Sequence, residues 1–100
     1  MISVEITRDT DGNIDSFLVK NHGDSYVCGA VSMLVINTVN SIETFTKQGF
    51  DCDYELDGAY VSFALKEPRD ENAAILLKAM HLGLTGVREE YPDEINMKEM

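Results

Sequence analysis

Residues 21–34 read NHGDSYVCGAVSML and join an extended segment to a long apolar helix. His22 stands at the end of the extended segment, a polar turn follows at residues 23–25, and Cys28 lies where the helical pattern begins. A helix N-terminus favours a nearby negative charge, and a neighbouring imidazole favours the thiolate form of a cysteine. The stretch therefore predicts a sulfur nucleophile at Cys28 with His22 as its base.

The same two residues also fit a structural role, because cysteine is among the residue types most often buried in protein cores. His22 and Cys28 are six positions apart, a spacing that arises readily by chance. Periodicity does not separate the alternatives, so the pattern alone leaves both a catalytic pair and an inert packing cysteine open.

The segments before and after this stretch predict one hairpin and one long helix. Residues 2–7 and 14–21 alternate as strands around an Asp-Gly turn, with Phe17 and Val19 on one face and Ile14 and Leu18 on the other. Apolar residues then repeat at helical spacing from Ser25 or Tyr26 to about Gln48. Ser25 is the expected N-cap and Gly49 the expected C′ residue.

The second half of the chain predicts another hairpin and another helix. Strands are expected at residues 50–56 and 59–65, and Asp70 is expected to cap a helix that ends before Pro92. The end through Met100 is expected to be frayed. The element order predicts one α+β domain over residues 1–100, a two-layer ββαββα fold with a mostly antiparallel four-stranded sheet packed with two helices.

The charge and the cysteine count indicate which kinds of partner and cofactor the chain is suited to bind. The net charge is −10, which argues against direct binding of nucleic acid and suits a cationic protein. Two cysteines are too few for a disulfide framework, and no ligand spacing indicates a metal or other cofactor. The opening residues show no signal sequence and no apolar run is judged long enough to cross a membrane, so we expect a cytoplasmic protein with reduced thiols.

The central stretch resembles the ribosomal-processing cysteine proteases of bacteria. Members carry a Gly-His-Ala-like triplet after a hairpin and a segment like Asp-Ile-Val-Cys-Ala-Ala-Val-Ser at the head of a helix, matched here by residues 21–23 and 25–32. Glu89-Glu90-Tyr91-Pro92 near the end of the chain also fits the family. Two features depart from it: Asn21 stands where a glycine is usual, and the loop between His22 and Cys28 is shorter than is typical.

The resemblance implies a cytoplasmic homodimeric cysteine endopeptidase that acts during ribosome assembly. It implies a substrate that is a large-subunit ribosomal protein, the twenty-seventh, whose short N-terminal extension is removed after an apolar sequence. Asp24 is the candidate acid for orienting His22, although acids in turns are commonly local caps. The N–H groups of Cys28 and Gly29 are candidate oxyanion donors.

A non-catalytic function is the alternative that the sequence supports. A small homodimeric acidic domain could hold basic ribosomal proteins without cutting them. A homodimer is expected on independent grounds, because the first helix is apolar on more than one face and would leave a large exposed patch on a monomer. Cys52 and His81 are interpreted as packing or surface residues. Acidic residues of the third strand form a solvated face that could also attract a basic substrate: Asp51, Asp53, Glu55 and Asp57.

Overall fold

The computed structural model describes residues 1–21, 23–55 and 60–100. In these residues five strands form one sheet, and two helices pack against one of its faces. The elements, in chain order, are β1 (Ile2–Arg8), β2 (Ile14–Lys20), α1 (Ser25–Phe45), β3 (Phe50–Tyr54), β4 (Tyr60–Leu65), α2 (Glu71–Glu90) and β5 (Ile95–Glu99).

The sheet is mixed, with strand order β3-β4-β2-β1-β5. Neighbouring strands are antiparallel except β1 and β5, which pair in parallel with Ile2 opposite Ile95. Alternate residues of β1 are buried, and they face the apolar stripes of both helices. The predicted α+β class with two helices is therefore confirmed.

The predicted four-stranded sheet is wrong in one respect, because the end of the chain adds a fifth strand. Ile95 is 2% exposed and Met97 packs against the core, so β5 contributes every second side chain to the interior. The strand is short and carries charges at Lys98 and Glu99. Its pairing with β1 depends on tertiary contact rather than on a strong local pattern, which is why the sequence suggested a frayed end.

The predicted faces of β2 are wrong for Ile14, because the strand contains a β-bulge. Thr7 pairs with Ser16, but Arg8 pairs with Ile14, so Asp15 is an extra residue on β2. The bulge turns Ile14 to the same face as Phe17, and both are buried. Of the two residues predicted on the other face, Ile14 and Leu18, only Leu18 lies there, and it is half-buried.

The ends of α1 differ from those predicted. Asp24, not Ser25, is the N-cap, because its side chain accepts the Tyr26 N–H at 3.0 Å. The helix ends at Phe45, and the extended Thr46 caps it, so Gly49 is not its C′ residue. The physical reason is Gln48, which is buried and hydrogen-bonds to the carbonyls of Lys66 and Pro68, just after β4, instead of extending the helix.

The second half of the chain follows the sequence prediction more closely. Asp70 caps α2 by accepting the Asn72 N–H at 2.8 Å, as expected. Val61 and Phe63 of β4 are buried, and Cys52 of β3 packs beside Phe63 at the edge of the core. The predicted ends at Leu56 and Ala59, and the turn at Asp57-Gly58, lie outside the described residues.

The two helices approach closely at Gly83. A Cβ built there would lie 2.9 Å from Cδ2 of Leu34, so a larger residue at this point would require the Leu34 side chain to move. Gly86, three residues further along α2, has nothing within 4 Å of its Cβ position.

Helix α1 is long and apolar enough, by length and composition, to span a membrane, with a mean hydropathy of 1.3. The expectation that no such run exists was therefore wrong by this criterion. In the fold, α1 packs as a core helix, because Val27, Val31, Val35 and Ile42 are buried against the sheet. Core helices of globular domains commonly pass the same test, so this feature is weak evidence for a membrane.

Candidate active site

The start of α1 holds Cys28 through its cap. Asp24 accepts two backbone N–H groups, that of Tyr26 on its side chain at 3.0 Å and that of Cys28 on its carbonyl oxygen at 2.8 Å. Cys28 is thereby fixed in the first turns of the helix, at the end where the dipole is positive. The predicted placement of this thiol near a helix N-terminus is confirmed.

The Cys28 sulfur lies against the backbone of the turn that precedes the helix. The Gly23 N–H donates to Cys28 Sγ at 3.3 Å, and the side chain is half-buried at the edge of the core. The thiol also lies 4.0 Å from the Gly23 carbonyl oxygen, as a donor to it, so the sulfur contacts both backbone polar groups of this residue. Both cysteines of the chain lie in the described residues, and they are not joined in a disulfide.

His22, the predicted base, lies outside the described residues. The preceding residue, Asn21, shows how the backbone enters the site. Asn21 has a left-handed backbone with φ of 73°, a conformation that glycine adopts readily and that asparagine tolerates better than most residues. This explains why Asn21 can stand where the resembling family usually carries glycine.

The two predicted oxyanion donors, the N–H groups of Cys28 and Gly29, have different surroundings. The Cys28 N–H already donates to Asp24, which argues against its use as an oxyanion donor. Gly29 is exposed, with nothing within 4 Å of a Cβ position, so the helix surface beside it is open to a substrate. Its N–H stays a prediction. Asp24 is shown to be a helix cap, and its predicted role in orienting His22 is untested.

Glu94 is a site residue that the sequence did not single out. Its Oε2 accepts the Asp24 N–H at 2.9 Å, and its own carbonyl accepts the Ile2 N–H at 2.9 Å. The turn before α1 is therefore tied to the junction between α2 and β5. The only sequence signal is the alternation of Ile95 and Met97 directly after Glu94, which marks the start of a strand.

Two tyrosines and three exposed or half-buried acids surround the helix start. The Tyr26 and Tyr91 rings lie 6.2 Å apart, joining the first turn of α1 to the end of α2. Loss of solvation and the nearby Tyr26, Glu90 and Asp24 raise the pKa of Tyr91 above its usual value. We call the two exposed carboxylates, those of Asp24 and Glu90, the acidic rim; the third acid is the half-buried Glu94, which accepts the Asp24 N–H.

Cys52 has the surroundings of a packing cysteine, as predicted. Burial, and secondarily the charge of Asp53, raises the pKa of the Cys52 thiol. Asp51, Asp53 and Glu55 are exposed, and Asp57 lies outside the described residues. β4 begins at the same end of the sheet as the site, because Tyr60 pairs with Lys20.

His81 lies beside the end of β1 that is opposite to the site. Its Nε2 is 3.1 Å from Glu99, which also accepts a hydrogen bond from Arg8 at 2.7 Å. This agrees with the structural role interpreted from the sequence. Within residues 1–21, 23–55 and 60–100, no group of three or more histidine, cysteine or acidic side chains is arranged to hold a metal ion.

Comparison with known proteins identifies one family. A family model described as cysteine protease Prp matches residues 1–96. A ribosomal processing cysteine protease Prp of Staphylococcus aureus is 25% identical over 103 residues, covering 97% of each chain. One of Bacillus subtilis is 28% identical over 109 residues, covering 97% of this chain and 96% of the relative.

Solved structures agree with the sequence relatives. The processing protease of S. aureus, crystallised with a covalently linked product peptide, superposes with a TM-score of 0.93 at 25% identity over the full length of both chains. A protein of Streptococcus mutans superposes with a TM-score of 0.88 at 29% identity, over all of this chain and 94% of the other. The mixed five-stranded sheet is therefore an architecture shared with these proteins.

Proposed function

We propose that this chain, which belongs to the cysteine protease Prp family, is an endopeptidase that removes the short N-terminal extension of a large-subunit ribosomal protein, the twenty-seventh. That the chain is a cysteine protease rests on its membership of the family. The observation that supports the proposed site is the position of Cys28 at the start of α1, with an amide N–H directed at its sulfur.

Cys28 is the proposed nucleophile and His22 the proposed base. His22 takes the thiol proton, and the thiolate attacks the carbonyl carbon of the scissile peptide bond. When the tetrahedral intermediate collapses, the C–N bond breaks and the imidazolium gives its proton to the leaving amine. Water, deprotonated by His22, then hydrolyses the thioester and restores the thiol. In the first step of this reaction, the Gly23 N–H donates a hydrogen bond to the attacking sulfur.

The charge of the chain supports a cationic substrate. The net charge is −10, and the acidic rim places two exposed carboxylates at the helix start. Ribosomal proteins are basic, because they bind RNA phosphates through lysine and arginine. Exposed carboxylates near the cleavage site raise the local concentration of such a substrate, an effect that salt weakens.

The decisive experiment is incubation with the organism's own extended ribosomal protein, followed by mass spectrometry of the products. We expect cleavage by the parent chain, none by Cys28→Ala, and near-parental cleavage by the matched control Cys52→Ala. Cleavage that persists in Cys28→Ala would remove this cysteine from the mechanism. Binding without cleavage by the parent would favour the alternative of a non-catalytic acidic domain.

Alkylation gives an independent test of the nucleophile. Burial raises the pKa of Cys52, so little of this thiol is ionised near neutral pH. We expect iodoacetamide at pH 7 to modify Cys28 at least about tenfold faster than Cys52, because thiolate is the reacting species. Equal rates, measured by peptide mass spectrometry, would contradict the assignment of Cys28.

The proposed assembly is a two-fold homodimer, and the proposed location is the cytoplasm, where ribosomes are built. Large apolar side chains on the outer surfaces of both helices support a dimer: Met33 is 74% exposed, Ile75 63% and Leu82 74%. Such side chains on neighbouring elements are typical of a contact surface. Analytical ultracentrifugation at micromolar concentration should show a dimer, and a stable monomer would refute it.

A further inference from the structure

We infer that Glu94 is a positioning residue for the nucleophile: its carboxylate holds the turn that places the Gly23 N–H against the Cys28 sulfur. The inference rests on the proposed role of Cys28. It follows from a continuous series of contacts in the described residues. The carboxylate accepts the Asp24 N–H at 2.9 Å, and the adjacent Gly23 N–H donates to Cys28 Sγ at 3.3 Å.

The turn is held tightly against Glu94. A Cβ built on Gly23 would lie 3.2 Å from Glu94 Oε2 and 3.3 Å from the Glu94 carbonyl oxygen. These separations are closer than most Cβ contacts, so the backbone of the turn rests directly on this residue. The carboxylate thus holds the turn by both a hydrogen bond and close packing.

The backbone of Glu94 is itself fixed by the sheet. Its carbonyl accepts the Ile2 N–H at 2.9 Å, at the point where β5 begins to pair with β1. Ile2 and Ile95 are both buried, so this junction is part of the core. The carboxylate therefore extends from a rigid base, and its removal leaves that base in place.

The electrostatic effect of Glu94 opposes its positioning effect. A carboxylate repels negative charge in its surroundings, because like charges repel. If Glu94 acted only through its charge, it would hinder the nucleophile. If it acts by fixing the turn, it assists the nucleophile. Glutamine separates the two effects, since its amide oxygen can accept the same N–H without the charge.

The test compares Glu94→Ala with Glu94→Gln, since neither variant carries the charge. We expect Cys28 in Glu94→Ala to react with iodoacetamide about fivefold more slowly than in Glu94→Gln, the range for losing one hydrogen bond. On the extended ribosomal protein, kcat should fall about tenfold in Glu94→Ala with KM within twofold, and Glu94→Gln should stay within threefold of the parent.

Glu99→Ala is the matched control, because it removes a carboxylate from the other end of the same strand, where Glu99 binds Arg8. It should leave kcat and Cys28 alkylation unchanged even if it lowers the melting temperature. Equal alkylation rates in Glu94→Ala and Glu94→Gln would overturn the positioning role. So would a loss of kcat in Glu99→Ala as large as in Glu94→Ala, since general loosening of β5 would then explain both.

The alkylation arm does not depend on protease activity. If the parent fails to cut the ribosomal protein while Glu94→Ala still alkylates more slowly than Glu94→Gln, the proposed substrate is wrong and the positioning role stands. If the parent cuts and the two variants match in both rates, the proposed function stands and the positioning role is refuted.

Discussion

Replacing Gly23 by alanine should disturb the nucleophile more than the fold. The new methyl carbon would lie 3.2 Å from Ile2 Cγ1, 3.2 Å from Glu94 Oε2 and 3.3 Å from the Glu94 carbonyl oxygen. Ile2 is 1% exposed and the Glu94 carbonyl is held by the Ile2 N–H, so these neighbours cannot yield easily. The turn must therefore move away by a few tenths of an ångström.

The magnitudes follow from that displacement. A shift of about 1 Å in a catalytic group reduces rates about a hundredfold, so roughly 0.3 Å predicts a loss of about three- to tenfold in kcat/KM. Overpacking destabilises by about 1–2 kcal/mol. The loss of unfolded-state entropy offsets about 0.4–1 kcal/mol of this, since φ of Gly23 is not in the left-handed region that disfavours alanine.

The assay pairs peptide cleavage with thermal unfolding, and Gly86→Ala is the matched control. Gly86 lies in α2 with nothing within 4 Å of its Cβ position, so alanine there should stabilise the chain by about 0.5–1 kcal/mol and leave kcat/KM unchanged. The contacts of the turn would be irrelevant to catalysis if Gly23→Ala kept parental kcat/KM. An unchanged melting temperature together with parental activity would show that the turn absorbs the methyl group.

Three further perturbations test other parts of the structure. Gln48→Ala should lower the free energy of unfolding by about 2–4 kcal/mol in urea titrations, because it removes the buried acceptor of the Asp70 N–H and the donor to three carbonyl oxygens. A change below about 1 kcal/mol would contradict this. The hydrogen bond from Arg8 lowers the pKa of Glu99, so the stabilisation from this pair is present above the unfolded pKa of about 4.3 and is lost as pH falls through the lower folded pKa. The free energy of unfolding of Glu99→Gln should therefore fall less than that of the parent as the pH is lowered. The difference should be under about 1 kcal/mol, because the Glu99 side chain is 38% exposed. Parallel curves of stability against pH would argue against the pair. Asp24→Asn should keep turnover within about threefold, since asparagine caps a helix as well as aspartate does; a tenfold loss at unchanged stability would support the role in orienting His22.

Elements with local signals could be predicted correctly from the order of residues alone. Alternation in β1 and β4, the helical stripe of α2 and the Asp70 cap depend on neighbouring residues, and the structure has each of them. Cys28 at a helix start follows from the same local reading, since the apolar repeat begins there. The half-buried setting of Cys52 also follows from alternation along one strand.

Features that join distant segments depend on contacts that form only when the chain folds. β5 is a strand because β1 offers it a parallel edge, and this pairing brings together the two ends of the chain. Ile14 faces the core because a bulge shifts its register, which no spacing in β2 alone reveals. Glu94 reaches the turn before Cys28 for the same reason: its contact with Asp24 exists only after β5 has docked, so it leaves no periodic trace in the sequence.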